Sequence, residues 1–219
     1  MNKILKLITL FFLTGLLSVL SQNKSPIYLD ATKPIEERIE DALSRMTLDE
    51  KVAMLHAQSK FSSAGVPRLG IPEFWTTDGP HGIRPEVLWD KWEQAGWTND
   101  SCFAFPALTC LAATWDTDLS FLYGHSLGEE ARYRKKDILL GPGVNIYRTP
   151  LNGRNFEYMG EDPLLSSRMV VPYIKGVQQN GVAVCVKHYA RRSCLVRNIS
   201  SCFQGCCSRR KSVVYNGSI

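Results

Sequence analysis

Residues 182–186 read Val-Ala-Val-Cys-Val, an unbroken apolar run with Gly181 before it and Lys187-His188 after it. It lacks the apolar–polar alternation of a strand with one wet face. Such a run suits a parallel strand covered by helices on both sides. A segment of helical length, Leu164–Gln179, leads into it and stops near Gly181. The order repeats upstream, where Asp118–Lys136 reads as a helix entering a strand at Ile138–Leu140, which ends in Gly141-Pro142-Gly143. Ile71–Trp75 reads as a further buried strand, ending before Asp78-Gly79-Pro80. Pro34–Gln58 reads as a helix in two pieces, with Thr47 and Glu50 at capping-box spacing. Short strands alternating with helices of this length give an α/β class with a parallel sheet.

The 219 residues hold 26 Lys and Arg against 21 Asp and Glu, a net charge of +5. The excess is local. Residues 191–219 contain Arg191, Arg192, Arg197, Arg209, Arg210 and Lys211 and no acidic residue, so the remainder is mildly acidic. This distribution argues against nucleic-acid binding. Cysteine is skewed the same way, with Cys194, Cys202, Cys206 and Cys207 in the tail. Cys102, Cys110 and Cys185 make no disulfide framework and are expected to be buried thiols.

The N-terminus has the layout of an export leader. Lys3 and Lys6 precede an apolar run from Leu7 to Leu20, Ser21 follows, and Gln22 is the expected mature start. The run is short for a membrane span, which favours a cleaved signal peptide at 1–21 and a secreted or periplasmic protein without a stable membrane anchor.

In parallel α/β folds, polar residues just beyond the strand ends gather at one rim, where sites are built. Three clusters fall there: Thr77-Asp78-Gly79-Pro80-His81-Gly82, the stretch Asn152–Glu157 with Gly160-Glu161-Asp162-Pro163, and Lys187-His188. Each also has a plainer reading. Asp78 before Gly-Pro suits an Asx-turn. Arg154 could pair with Glu157 or Asp162, and Lys187-His188 could simply end a strand. Glu161-Asp162 before Pro163 is a helix-start signal rather than a catalytic couple. His56 and His125 are expected on helices as structural residues. Trp75, Trp89, Trp92, Trp97 and Trp115 could supply an aromatic stacking face but suit packing better.

Taken together, Met46–Lys51, Thr77–Gly82, Gly153–Glu157, Gly160–Pro163 and Lys187-His188-Tyr189-Ala190, in that order, resemble glycoside hydrolase family 3, the β-glucosidase and β-xylosidase group. The resemblance covers roughly residues 30–190. It implies the N-terminal part of a (β/α)8 TIM-like barrel, here about three βα units, and no cofactor or metal. It also implies that Asp78, Arg154, Lys187 and His188 bind a sugar. The residue types suit that task. A carboxylate can accept from two adjacent hydroxyls, Arg and Lys donate charged hydrogen bonds, and His does either according to tautomer. The implied ligand is a β-linked glucoside or xyloside.

Retaining glycosidases need two carboxyl groups about 5–5.5 Å apart. The resemblance places the nucleophilic Asp and the acid/base Glu downstream of Lys187-His188, beyond the family-like stretch, so no catalytic residue is assigned. The expected organisation is a leader at 1–21, a partial family domain at 22–190 and an aberrant tail at 191–219. The codons of residues 192–217, read out of frame, admit a family-like continuation, which suggests a deletion after Ala190. The rival reading of the tail cysteines as a metal or disulfide module lacks zinc spacing. The expected function is that of a glycosidase fragment inactive alone. The alternative is a non-catalytic sugar-binding or interaction protein.

Overall fold

The computed structural model describes residues 25–79, 81–93, 101–188 and 213–215. The expected leader, Trp97, Tyr189-Ala190 and most of the tail lie outside the described residues. The chain divides into two compact units between Lys51 and Val52.

Among its described residues the first unit contains a 3₁₀ turn at Ile27–Leu29 and helix α1 at Ile35–Arg45. Glu36 and Glu37 lie in the first turn of α1 and Arg45 in the last, each at the end of the helix dipole that favours its charge. Asp41 links α1 to the turn, accepting from the Tyr28 N–H at 3.1 Å. Helix α2, Leu48–Met54, follows. Its start is the capping box expected from the sequence: Glu50 N–H donates to Thr47 Oγ1 at 3.2 Å, and Thr47 N–H donates to Glu50 Oε2 at 2.8 Å.

The second unit holds the sheet. Strands β1 (Ser62–Ser63), β2 (Phe74–Thr77), β3 (Ile138–Leu139), β4 (Ala183–Val186) and β5 (Val213–Tyr215) lie in that spatial order. β1 runs antiparallel to β2, and β2 to β5 are mutually parallel. The expected strand at Ile71–Trp75 is displaced toward Thr77. The 3₁₀ turn Pro67–Leu69 folds the chain back, so Ile71 bridges to Val66, and pairing with β3 starts opposite Thr76. β4, the last strand expected from the sequence, is not the edge of the sheet. Val184, Cys185 and Val186 pair in parallel with Val213, Val214 and Tyr215.

Helix α3 spans Leu108–Ala112, α4 Thr117–Tyr133 and α5 Pro163–Gln179. Asp116 caps α4 through the N–H groups of Asp118 and Leu119, and Asp162 caps α5 through those of Leu164 and Leu165. Glu161-Asp162-Pro163 is thus a helix start, as its residue types suggest. α4 connects β2 to β3, and α5 connects β3 to β4. The two helices pack at backbone distance. A Cβ on Gly124 would lie 2.1 Å from Tyr173 O, and one on Gly176 would lie 2.2 Å from Phe121 O. Buried Leu127, Ala131, Val170, Ile174 and Val177 fill the seam and meet Leu139 and Val184 of the sheet. Ser120 Oγ donates to Met169 O at 2.7 Å, closing the contact with a buried hydrogen bond.

A buried ion cluster ties the long loop after β2 to the end of α4. Arg134 Nη1 and Lys136 Nζ each lie 3.4 Å from a Glu86 oxygen, and Arg134 Nε lies 3.2 Å from Glu130 Oε1. Cys185 is buried in β4, whereas Cys102 is half-buried and Cys110 exposed, so only one of the three body cysteines is the buried thiol expected. His56 lies just past the last residue of α2 instead of on it, and is exposed. His125 is on α4, 3.6 Å from Glu129.

Candidate functional site

The parallel strands deliver three segments to one rim. Asp78 follows β2, the 142–160 loop follows β3, and Lys187-His188 follows β4. The loop is drawn against the end of β4 by its backbone. Val144 N–H donates to Lys187 O at 2.8 Å, and Lys187 N–H donates to Pro142 O at 3.0 Å. Gly143 lets the loop fold back on itself, because a Cβ there would lie 2.4 Å from Glu157 O. Asn145 Oδ1 then accepts from the His188 N–H at 2.7 Å.

Further along the loop, Asn side chains shape a tight turn. Asn152 Nδ2 donates to Asn155 Oδ1 and Asn155 Nδ2 to Thr149 O, both at 2.7 Å. A 3₁₀ turn at Asn155–Glu157 follows. Its three-residue repeat brings Arg154 and Glu157 to the same side. Arg154 Nε donates to Glu157 Oε1. Lys187 Nζ lies 3.3 Å from the other oxygen, Glu157 Oε2. Arg154 Nη2 lies 2.8 Å from His188 Nε2, and Tyr158 OH lies 3.0 Å from His188 Nδ1. Three of the four expected sugar-binding residues, Arg154, Lys187 and His188, therefore form one cluster.

Glu157 is the centre of that cluster. Its side chain is 4% exposed, against 11% for Lys187 and 54% for Arg154. The cluster is thus anchored below and open above. Burial pushes the Glu157 carboxyl up, but the Arg154 hydrogen bond and the charges of Lys187 and Arg154 together hold it below its ordinary value. Burial and the Arg154 charge push the His188 imidazole below its ordinary value, keeping it neutral near pH 7. Burial raises the Tyr158 phenol, which stays protonated.

Asp78 occupies the same rim with a partner of its own. Arg84 Nε donates to Asp78 Oδ1 at 2.5 Å, and the Arg84 N–H closes the loop onto Asp78 O at 3.0 Å. The Asx-turn reading fails on simple chemistry, since the residue two further on, Pro80, has no N–H to donate. The next residue, Gly79, lines a cleft together with Gly141, Gly143, Glu157 and Lys187. Both Asp78 and Arg84 are partly exposed.

Trp89 and Trp92 lie further along this loop. The Arg84 guanidinium lies 5.7 Å from the centres of both the Phe61 and Trp92 rings, and Trp89 meets Trp75 edge-on. Trp115 is exposed near the start of α4. Sequence reasoning named Glu157 only as a possible mate of Arg154. It passed over Tyr158, Asn145 and Arg84. The i,i+3 spacing of Arg154 and Glu157 was the one local signal for this centre. The 43-position separation of Asn145 and His188 left no such trace.

Comparison with known proteins identifies relatives of this arrangement. The model of the glycosyl hydrolase family 3 N terminal domain matches residues 44–194. Beta-glucosidase BoGH3A of Bacteroides ovatus is 65% identical over 188 residues, covering 84% of this chain and 25% of that protein. Thermostable beta-glucosidase B of Acetivibrio thermocellus is 44% identical over 153 residues, covering 69% of this chain and 20% of that protein. Among solved structures, beta-glucosidase 3B from Thermotoga neapolitana in complex with alpha-D-glucose superposes with a TM-score of 0.59 at 38% identity, covering 69% of this chain and 23% of that one. Beta-glucosidase from Kluyveromyces marxianus in complex with glucose gives 0.62 at 36% identity, covering 69% of this chain and 17% of that one. The chain spans a quarter or less of the length of these relatives.

Proposed function

Because the chain belongs to glycosyl hydrolase family 3, by its N-terminal domain, we propose that it forms the sugar-gripping part of a β-glucosidase. Asp78, Arg154, Lys187 and His188 hold the pyranose ring. The observation that carries this reading is the joint anchoring of Arg154 and Lys187 on the two oxygens of buried Glu157, with His188 bound to Arg154. That geometry gathers charged donors and an imidazole at an open rim, a set matched to adjacent sugar hydroxyls. The glucose complexes of the structural relatives favour a gluco-configured ring.

The described residues supply grip without the acid–base pair. Glu157 is held ionised by two cations and is unsuited to give up a proton as a general acid near neutral pH. Asp78 is engaged by Arg84. The 219-residue chain therefore binds glucose and leaves aryl β-glucosides intact.

Calorimetric titration with glucose and an assay with a chromogenic β-glucoside test both halves. Uptake that disappears in Asp78→Ala and Lys187→Ala, with no turnover, is expected. Lack of any glucose uptake by the folded chain would refute the binding role. Sustained hydrolysis by the pure chain would refute the inactive one.

A further inference from the structure

His188 has two ring nitrogens and two neighbours of fixed chemistry. The neighbour of Nε2 is the Arg154 guanidinium at 2.8 Å, which can only donate. Nε2 must therefore be bare and accept. In the neutral imidazole the proton then sits on Nδ1, 3.0 Å from the Tyr158 hydroxyl, whose oxygen accepts it. The opposite tautomer would set an Nε2–H against the N–H groups of Arg154. Protonation of both nitrogens would set two cations face to face. Beneath them, the carboxylate of Glu157 divides its two oxygens between Arg154 and Lys187.

The geometry points to Glu157 and Tyr158 as the positioning residues of this cleft: Glu157 sets the aim of Arg154 and Lys187, and Tyr158 accepts from the His188 Nδ1–H, holding the imidazole at the orientation in which Nε2 accepts from Arg154. For its purpose this rests on the sugar-site reading; its geometry stands apart from it. Glu157 and Tyr158 are themselves buried, with 3% and 6% exposure, so they act through the residues above them. Arg154 is more than half exposed and keeps one face for a ligand.

The charged and titratable groups around the imidazole are Arg154, Glu157, Lys187 and Tyr158. Removing the Tyr158 hydroxyl takes away the acceptor of Nδ1–H and leaves all of these charges in place. Replacing Glu157 by Gln keeps the shape and releases the grip on both cations.

The experiment is long-range ¹⁵N–¹H NMR of the imidazoles in the full chain, with the His188 signals identified by their loss in His188→Gln. Wild type is expected to show neutral His188 with Nδ1 protonated and Nε2 bare. In Tyr158→Phe the tautomer is expected to stay, because Arg154 still donates to Nε2, while the Nδ1–H proton moves upfield and exchanges faster with water and the melting temperature stays within a few degrees of wild type. A packing role alone would leave the Nδ1–H shift and exchange rate untouched. Glucose affinity is expected to fall about tenfold or more in both Tyr158→Phe and Glu157→Gln. Should Glu157→Gln fail to fold, Tyr158→Phe still decides. An Nε2–H tautomer in wild type, or an unchanged Nδ1–H signal in Tyr158→Phe, overturns the inference. An Nδ1–H signal that responds in a chain taking up no glucose leaves the positioning in place and removes the sugar-site reading instead.

Discussion

Gly176→Ala tests whether the α4–α5 contact sets the spacing on which the rim depends. The new Cβ would meet three backbone atoms of α4: Phe121 O at 2.2 Å, His125 N at 2.6 Å and Gly124 C at 3.0 Å. None of these can swing aside as a side chain does. Restoring ordinary contact needs the helices to part by roughly 1 Å, which forfeits a quarter to a half of the dispersion energy of each affected pair. The pairs at stake include buried Leu127, Ile174 and Val177. The same displacement stretches the hydrogen bonds from Ser120 Oγ to Met169 O and from Asn180 Nδ2 to His125 O, now 2.7 and 3.0 Å. Overpacking costs about 1–3 kcal/mol, and the weakened hydrogen bonds add about 1 kcal/mol. Better helix propensity returns about 1 kcal/mol. The expected net loss is about 1–3 kcal/mol, read by urea unfolding followed by far-UV circular dichroism. Gly153→Ala is the control, since nothing lies within 4 Å of a Cβ there. It is expected to stay within about 0.5 kcal/mol of wild type. A Gly176→Ala protein as stable as that control would refute the close-packing argument.

Thr47→Ala removes one half of the capping box of α2 and is expected to cost about 1 kcal/mol in the same assay. Acid should weaken the site in two steps. Both Glu157 and His188 have depressed values in the folded chain, so each contributes stability that is complete above its unfolded value and lost as pH falls through its folded one. The His188 step begins below its ordinary 6.5 and the Glu157 step below its ordinary 4.5. A pH series of unfolding midpoints should lose the upper step in His188→Gln and the lower step in Glu157→Gln. Expression with the leader in an export-competent host is expected to yield a chain starting at Gln22, read by mass spectrometry of the mature protein.

Much of the second unit was legible because its signals are local. Leu164–Gln179 needed only an apolar stripe, an Asp cap, a proline at the first helical position and a glycine beyond its end. The capping box of α2 was written in two residues. The strand before Asp78 was misplaced by a few residues, since pairing with β3 starts at Thr76. No pattern within residues 71–77 records where a strand 62 positions later begins to pair. The partner of β4 was missed for the same reason, as Val213–Tyr215 looks no different from any short β-branched run.

At the site, the sequence alone determined which kinds of group reach the rim. Short apolar strands must be buried, so the polar residues directly after them are carried to the sheet's end. Asp78, Arg154, Lys187 and His188 were found on that basis and by resemblance. Only the tertiary structure decided how those groups address one another. Glu157 sits beneath two cations because a 3₁₀ turn and the end of β4, thirty residues apart in the chain, converge on one carboxylate. Hydrogen bonds and ion pairs fall off within a few ångströms. Their pattern therefore belongs to distances in space, which local sequence periodicity does not encode.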